Sequence, residues 1–450
     1  MAKSDNKFIY LGDPQCDRIS GNGLDYSAWA RILKKAISAC WTSQELAEPS
    51  DKLIVLGGDL VNDGDNSAEW EAFFGALKSV TAGGNFRVIT ATGNHRRVIN
   101  YADVPEFARE IQLPANGPEG FEKDFYSYDQ GCIHFQVLNS NLMGTRDKTF
   151  SKYIGEWIKR DLRDNRNPVI ITVMHHPMFT VGRSRDDDYR AKVMRDNYLG
   201  LLSKNGVDFI LCGHQHAYCR TDGSVDVTQI MGLSGNKFFK NLRADNMAVI
   251  IEGTPTATIF ETDGTVIKME TFDEAGRVLD CLEKDVRPNK KHECSTCDKV
   301  AKCFGPMPKK PRLPGGKPEL KIMGDGIDEM VISQEEMSRL PDVTQVFSRR
   351  MKNGYSEIRV TGKSLRGILE MAGVDTTNEN ATFALTTDLG IQHILTADDL
   401  FKGRWYGDGQ EKPAQALLTS DYQLAVGQVN ETEFNVRKWY VNIREIDVII

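Results

Sequence analysis

The chain has no apolar run near the roughly 18 residues that a membrane-crossing helix needs, no repeat of fixed period and no surplus of basic charge. Its 56 Lys and Arg are outnumbered by 63 Asp and Glu, a formal net charge of -7. That balance argues against a general nucleic-acid or membrane-surface binder, so neither partner is expected. A disulfide framework is also lacking. The nine cysteines are odd in number and scattered, apart from Cys294, Cys297 and Cys303. In a chain of this size such a pattern fits a reducing compartment better. Met1–Lys7 is polar and no secretory apolar core follows it. The cytoplasm is the favoured location, with an exported form whose signal has been removed left open. Oligomeric state has no signature in the sequence.

What is present is an ordinary globular composition, 40% hydrophobic and 26% charged over 450 residues, enough for two or three domains. Up to about residue 275, short apolar runs alternate with helical patterns. Phe8–Leu11, Leu53–Leu56, Val88–Thr92, Val169–Val173 and Phe209–Cys212 read as buried strands, with helices expected at Tyr26–Trp41, Ala68–Leu77 and Lys152–Arg163. Asp263-Gly264 between Thr256–Phe260 and Thr265–Thr271 is a hairpin signal. The expectation is an α/β catalytic domain over 1–275, a Cys/Lys/Pro-rich linker or small module over 276–317, and a smaller C-terminal α+β accessory domain over 318–450. In the last, Ser356–Val360, Thr382–Thr386 and Val441–Ile450 are strand-like, and Ser364–Ala372 and Thr396–Phe401 helical.

Five polar clusters share one position, each just past the carboxyl end of a buried strand. Asp13 follows the first strand and Asp59 the second. Asn94 and His95 follow the third, His175 the fourth, and His214 and His216 the fifth. In open α/β sheets that edge is where sites form. Two carboxylates, three imidazoles and an amide oxygen form a mixed N/O donor set suited to Zn, Mn or Fe and poor for calcium. A carboxylate can bridge two such ions. Each piece alone would pass for a turn or a capping residue; their joint occurrence in this order does not.

Written out, the motifs are Gly12-Asp13-Pro14-Gln15, Gly58-Asp59-Leu60-Val61-Asn62, Gly93-Asn94-His95, His175-His176-Pro177 and Gly213-His214-Gln215-His216. This part of the chain, roughly residues 7–275, resembles the calcineurin-like metallophosphoesterase superfamily, in the subgroup that opens with D-P-Q. The resemblance implies two mixed β-sheets packed face to face with flanking helices. It also implies a dinuclear site, with Asp13, Asp59 and His216 on one ion and Asp59 bridging to a second held by Asn94, His175 and His214. The reaction implied is hydrolysis of a phosphate monoester or diester by a metal-bridging hydroxide. The substrate would be a phosphorylated small molecule or a phosphoprotein. His95 would be a non-ligand that protonates the leaving group or binds a phosphoryl oxygen. Arg96 and Arg97, or Arg183 and Arg185, are candidates to bind the substrate phosphate. Gln15 departs from the family's usual histidine, and its amide oxygen is a weaker ligand for the first ion. That favours a harder ion such as Fe or Mn there. Asn62 stands where purple acid phosphatases place tyrosine, so their colour is not expected. The competing reading, to which Gln15 lends weight, is a degenerate relative acting as a binding or sensor protein through its cysteine module and C-terminal domain.

His292, Cys294, Cys297 and Cys303 form an H-x-C-x2-C-x5-C cluster. With His292 or Cys281 as a fourth ligand, it is a candidate for structural Zn or an Fe–S cluster. Thr361-Gly362-Lys363-Ser364 is not a phosphate-binding loop, because Glu357 stands where the leading glycine is required. The C-terminal pattern vaguely resembles the molybdopterin-binding domain of sulfite oxidases, but no cysteine lies beyond Cys303 to hold molybdenum.

Overall fold

The computed structural model describes residues 6–17, 23–95, 101–144, 148–182, 185–240, 242–286, 319–324, 327–351, 354–387, 392–407, 410–420, 422–426 and 443–449. The chain forms two compact units, Met1–Lys310 and Pro311–Ile450.

The first unit carries thirteen described strands: β1 (Lys7–Leu11), β2 (Lys52–Leu56), β3 (Phe86–Thr90), β4 (Phe125–Gln130), β5 (Ile133–Leu138), β6 (Val169–Met174), β7 (Phe209–Cys212), β8 (Tyr218–Thr221), β9 (Thr228–Met231), β10 (Met247–Ile251), β11 (Thr256–Thr262), β12 (Val266–Asp273) and β13 (Val278–Asp285). They make two mixed sheets, in the orders β13-β12-β11-β1-β2-β3 and β10-β8-β9-β7-β6-β5-β4. In the first, β1, β2 and β3 are parallel. In the second, β5, β6, β7 and β9 are.

The two-residue side-chain period explains the layering. Phe8 and Tyr10 of β1 and Leu53 and Val55 of β2 share one core with Phe135, Val173 and Leu211 of the other sheet. The Phe8 ring meets Phe135 edge-on, with centroids 5.0 Å apart. The alternate residues Ile9, Leu11, Ile54 and Leu56 face outward onto helices Ser27–Cys40 and Ser67–Thr81. On the other sheet, Ile170, Met174 and Ile210 pack against helix Lys148–Asp164. Strands buried on both faces must be apolar at every position, which is why they read as continuous runs and not as alternations. Each such side chain stabilises the fold by about 1.5–3 kcal/mol. The result is the expected sandwich of two sheets with helices outside.

The boundary at 275 falls short. β13 pairs with β12 along Val266–Asp285 and closes the edge of the first sheet. Its Asp280 accepts from Arg220 Nε and Nη2 at 2.7 and 2.9 Å and from Tyr218 Oη at 2.7 Å. Asp280 thereby ties the edge of one sheet to β8 of the other. The alternating, partly exposed pattern of β13 resembles a polar linker in sequence.

The second unit, taken by itself, has a five-stranded mixed sheet, a four-stranded sheet and a two-stranded one. Its core includes Leu320, Leu365, Ile368, Phe383 and Ile446. Short helices at Gln334–Ser338, Leu365–Met371 and Ala397–Phe401 complete an α+β unit. Among the described residues, no helix is long and apolar enough to cross a membrane.

Candidate metal centre

The parallel strands β1, β2, β3, β6, β7 and β9 deliver their carboxyl ends to one edge of the sandwich, and backbone hydrogen bonds knit the loops that leave them. Gln15 N donates to Asp59 O (3.1 Å), Gly213 N to His175 O (3.0 Å) and Gly235 N to Asp13 O (2.9 Å). The loops turn abruptly. Asp13, Asp59, His214 and His216 all adopt positive φ, at 39°, 48°, 79° and 47°. Side chains in this left-handed region cost of order 1–3 kcal/mol each, and such strain concentrates at functional sites. Two glycines allow the close approach. A Cβ on Gly213 would lie 2.6 Å from Asp13 Oδ2, and one on Gly93 would collide with Asp59 Oδ1.

One ligand atom each from Asp13, Asp59 and His175 lies within 4.8 Å of the others. All three residues are buried. Asp13 accepts the His214 backbone N–H at 3.0 and 2.7 Å. Asp59 Oδ1 accepts from the N–H groups of Asn94 (2.8 Å) and His95 (3.2 Å). The imidazoles are oriented through their far nitrogens. His175 Nδ1–H donates to Gly57 O at 2.9 Å and His216 Nδ1–H to Lys237 O at 2.9 Å. This turns Nε2 of each ring toward the centre. His175 Nε2 then faces Asn94 Oδ1 at 3.1 Å and Asp59 Oδ2 at 3.3 Å. A cation could take the place of the proton between His175 and these oxygens.

Electrostatics says the same. Burial pushes the Asp13 carboxyl up to about 7, with the charge of Asp59 adding to the rise. Burial also opposes ionisation of Asp59, but the His175 and His95 imidazoles hold it well below the usual carboxylate range. Burial disfavours a charged His175, yet Asp59 and Asp13 raise it to about 9. Imidazole charge and backbone N–H groups compensate the two buried carboxylates here. The donor set fits divalent metal, which would supply that charge without a proton.

The remaining expected residues fall as follows. The His214 ring lies 5.2 Å from that of His175. His176 points elsewhere, with its Nδ1 3.0 Å from Ser140 Oγ. His95 is held by Asn62 O through Nδ1 at 3.0 Å, and its side chain is 30% exposed. Burial lowers its pKa, and the Lys237 charge adds to that effect against the pull of Asp59. Asn62, at the tyrosine position, spends its amide on Cys16 O at 2.7 Å. Gln15 reaches the centre but presents nitrogen: Nε2 donates to Asp59 Oδ2 and lies 3.1 Å from His216 Nε2. Arg96, Arg97, Arg183, His292, Cys294, Cys297 and Cys303 lie outside the described residues, and Arg185 opens the helix Arg185–Met194.

Two contributors were not anticipated. Lys237 Nζ lies 3.2 Å from His95 Nε2 and 3.4 Å from Gln15 Oε1. Phe239 stacks on His216 at 4.6 Å. Both sit in the loop after β9, a sixth parallel strand ending at the same edge. Gly232-Leu233-Ser234-Gly235 after Thr228–Met231 was the available signal.

Residues 7–218 match the family model described as calcineurin-like phosphoesterase. A stretch of 120 residues is 29% identical to purple acid phosphatase 15 of Arabidopsis thaliana, covering 26% of this chain and 21% of that protein. Another of 140 residues is 28% identical to an acid phosphatase of Aspergillus ficuum, covering 29% and 21%. The chain thus spans about a fifth of the length of the curated relatives it matches. Among solved structures, purple acid phosphatase PPD1 from yellow lupin (Lupinus luteus) seeds is similar over 62% of this chain and 53% of that one, at 18% identity and a TM-score of 0.46. Residues 7–218, within the first unit, are thus similar to the calcineurin-like phosphoesterase family.

Proposed function

We propose that the protein is a metal-dependent phosphoesterase that hydrolyses a phosphate monoester or diester at a dinuclear centre. The observation that carries this reading is the convergence of Asp13, Asp59, Asn94, His175 and His216 on one edge, with His175 and His216 oriented through Nδ1 so that Nε2 faces the carboxylates. Asp13, Asp59 and His216 would hold one ion, and Asp59, Asn94, His175 and His214 the other, with Mn, Fe or Zn as candidates. Two such ions, when bound, acidify water toward neutral pH and polarise the phosphoryl group.

The chain's own part is positioning and proton supply. Asn94 and His95 backbone N–H groups lock Asp59. Asn62 O orients the His95 ring so that Nε2 faces the Lys237 ammonium. The proton needed by the departing oxygen is carried by this His95–Lys237 pair. The same two groups face charge developing on phosphoryl oxygens. The substrate is a phosphorylated small molecule or a phosphoprotein. A reducing compartment suits the chain, since Cys16, Cys40, Cys132, Cys212, Cys219 and Cys281 are all free thiols.

The test is hydrolysis of p-nitrophenyl phosphate and bis(p-nitrophenyl) phosphate by metal-loaded protein, before and after chelation. The expected result is turnover of at least one ester that disappears with chelator and returns with Mn. Turnover that survives complete metal removal contradicts the proposal.

A further inference from the structure

Lys237 determines which way the Gln15 amide faces. Its Nζ lies 3.4 Å from Gln15 Oε1 and 3.2 Å from His95 Nε2, while its backbone oxygen holds His216 Nδ1 at 2.9 Å. An ammonium group has three donors and no acceptor, so it engages an amide through oxygen. Turning the amide over would set its NH2 against the ammonium and leave Asp59 Oδ2 without that donor. In the orientation held by Lys237, Gln15 Nε2 stands between Asp59 Oδ2 and His216 Nε2, 3.1 Å from each. Those are two of the three residues assigned to the first ion.

A glutamine coordinates a cation only through its oxygen. Here the oxygen is committed to Lys237 and a hydrogen-bond donor faces the ligand pair. The ammonium adds a full positive charge beside the same half of the centre, and like charges repel most in a water-poor cleft. The other half is built differently. There His175 Nε2 faces two oxygens, Asn94 Oδ1 at 3.1 Å and Asp59 Oδ2 at 3.3 Å.

We propose that Gln15 and Lys237 make the two halves of the centre unequal. The half formed by Asp59, Asn94, His175 and His214 takes its ion tightly. The half formed by Asp13, Asp59 and His216 takes its ion weakly, in competition with the Gln15–Lys237 pair. This inference rests on the metal-centre reading above. It makes the weakly held ion the one whose supply limits turnover.

The test is Mn2+ titration of the chelated full-length protein by calorimetry, with elemental analysis of the dialysed product. The wild type is expected to bind one Mn2+ at least tenfold more tightly than a second. Lys237→Met, which keeps the length of the side chain and removes the charge, is expected to narrow that gap by about tenfold, and Lys237→Arg to retain it. Gln15→His, which supplies an imidazole lone pair, is expected to narrow it independently and carries the test alone if Lys237→Met does not fold. Two ions of equal affinity in the wild type, or a gap unmoved by these substitutions, overturns the inference and leaves the metal-centre reading standing. Failure of every form to bind Mn2+ overturns both.

Discussion

Replacing Asp13 by asparagine is expected to stabilise the metal-free protein and to weaken its hold on metal. The Asp13 carboxylate is fully buried beside Asp59, with the His214 N–H as a donor. Burial pushes its pKa to about 7, above the value of about 3.9 expected in the unfolded chain. A raised carboxyl pKa means that the folded state prefers the protonated form. Its contribution to stability is fully present below pH about 4 and is lost as pH rises through about 7. Asparagine is neutral throughout. A pKa difference of about three, at about 1.4 kcal/mol for each pH unit, sets a ceiling of ~4 kcal/mol. An imperfectly partnered amide NH2 returns about 1 kcal/mol or more, leaving about 1–3 kcal/mol at pH 8. For a unit of this size that is a rise in Tm of roughly 2–10 °C. Thermal melts in chelator at pH 8 and pH 4.5 measure it, and the gain should fade at the lower pH. Added Mn2+ should raise the wild-type Tm well above that of Asp13→Asn. An asparagine variant that melts below the wild type in chelator at pH 8 would refute the claim that uncompensated carboxylate charge is what the metal relieves.

His95→Ala should keep its metal content and lose about 10²–10⁴-fold in turnover; elemental analysis with p-nitrophenyl phosphate rates checks it, and unchanged rates remove His95 from the reaction. Away from the centre, the buried His134 lies 2.6 Å from Asp129 Oδ1 and 3.1 Å from Asp161 Oδ2. Burial lowers its pKa, but these two bonds outweigh that and raise it to about 9. The stability it contributes is present below pH 6.5 and lost as pH rises through about 9. Because Asp129 is largely exposed, the loss should be about 1–2 kcal/mol. Urea unfolding of the wild type and His134→Gln at pH 6 and pH 10 should show it, and a pH-independent difference would refute the linkage. Asp280→Ala strands Arg220 and the Tyr218 hydroxyl, and should cost about 2–4 kcal/mol in urea unfolding; a cost below about 0.5 kcal/mol would mean that β13 is not held by this cluster.

The frame of the first unit is legible because its strands are buried on both faces. Phe8–Leu11 and Leu53–Leu56 admit no polar residue, so their ends, and the Asp13 and Asp59 that follow, stand out. Helices Ser27–Cys40 and Ser67–Thr81 extend the expected spans by a few residues or trim them by one, as fraying ends and caps dictate. β13 is hidden for the opposite reason: an edge strand with one solvated face carries Asp280, Glu283 and Lys284 and resembles a connector. At the centre, residue types and order pick out the ligand candidates, but direction is invisible. That Asp13, Asp59, His214 and His216 adopt positive φ follows from the way six loops share one edge and not from any local propensity. The facing of the Gln15 amide depends on Lys237, 222 positions away. Motif spacing carries no trace of such a pair.

Reconstitution of the chelated protein bears most directly on the central claim. Hydrolysis of p-nitrophenyl phosphate and its bis-ester should be followed against Mn2+ added per chain. The account expects no turnover without metal and a rise that saturates at about two ions per chain. Turnover that is indifferent to added metal, or bound metal with neither ester hydrolysed, would contradict it.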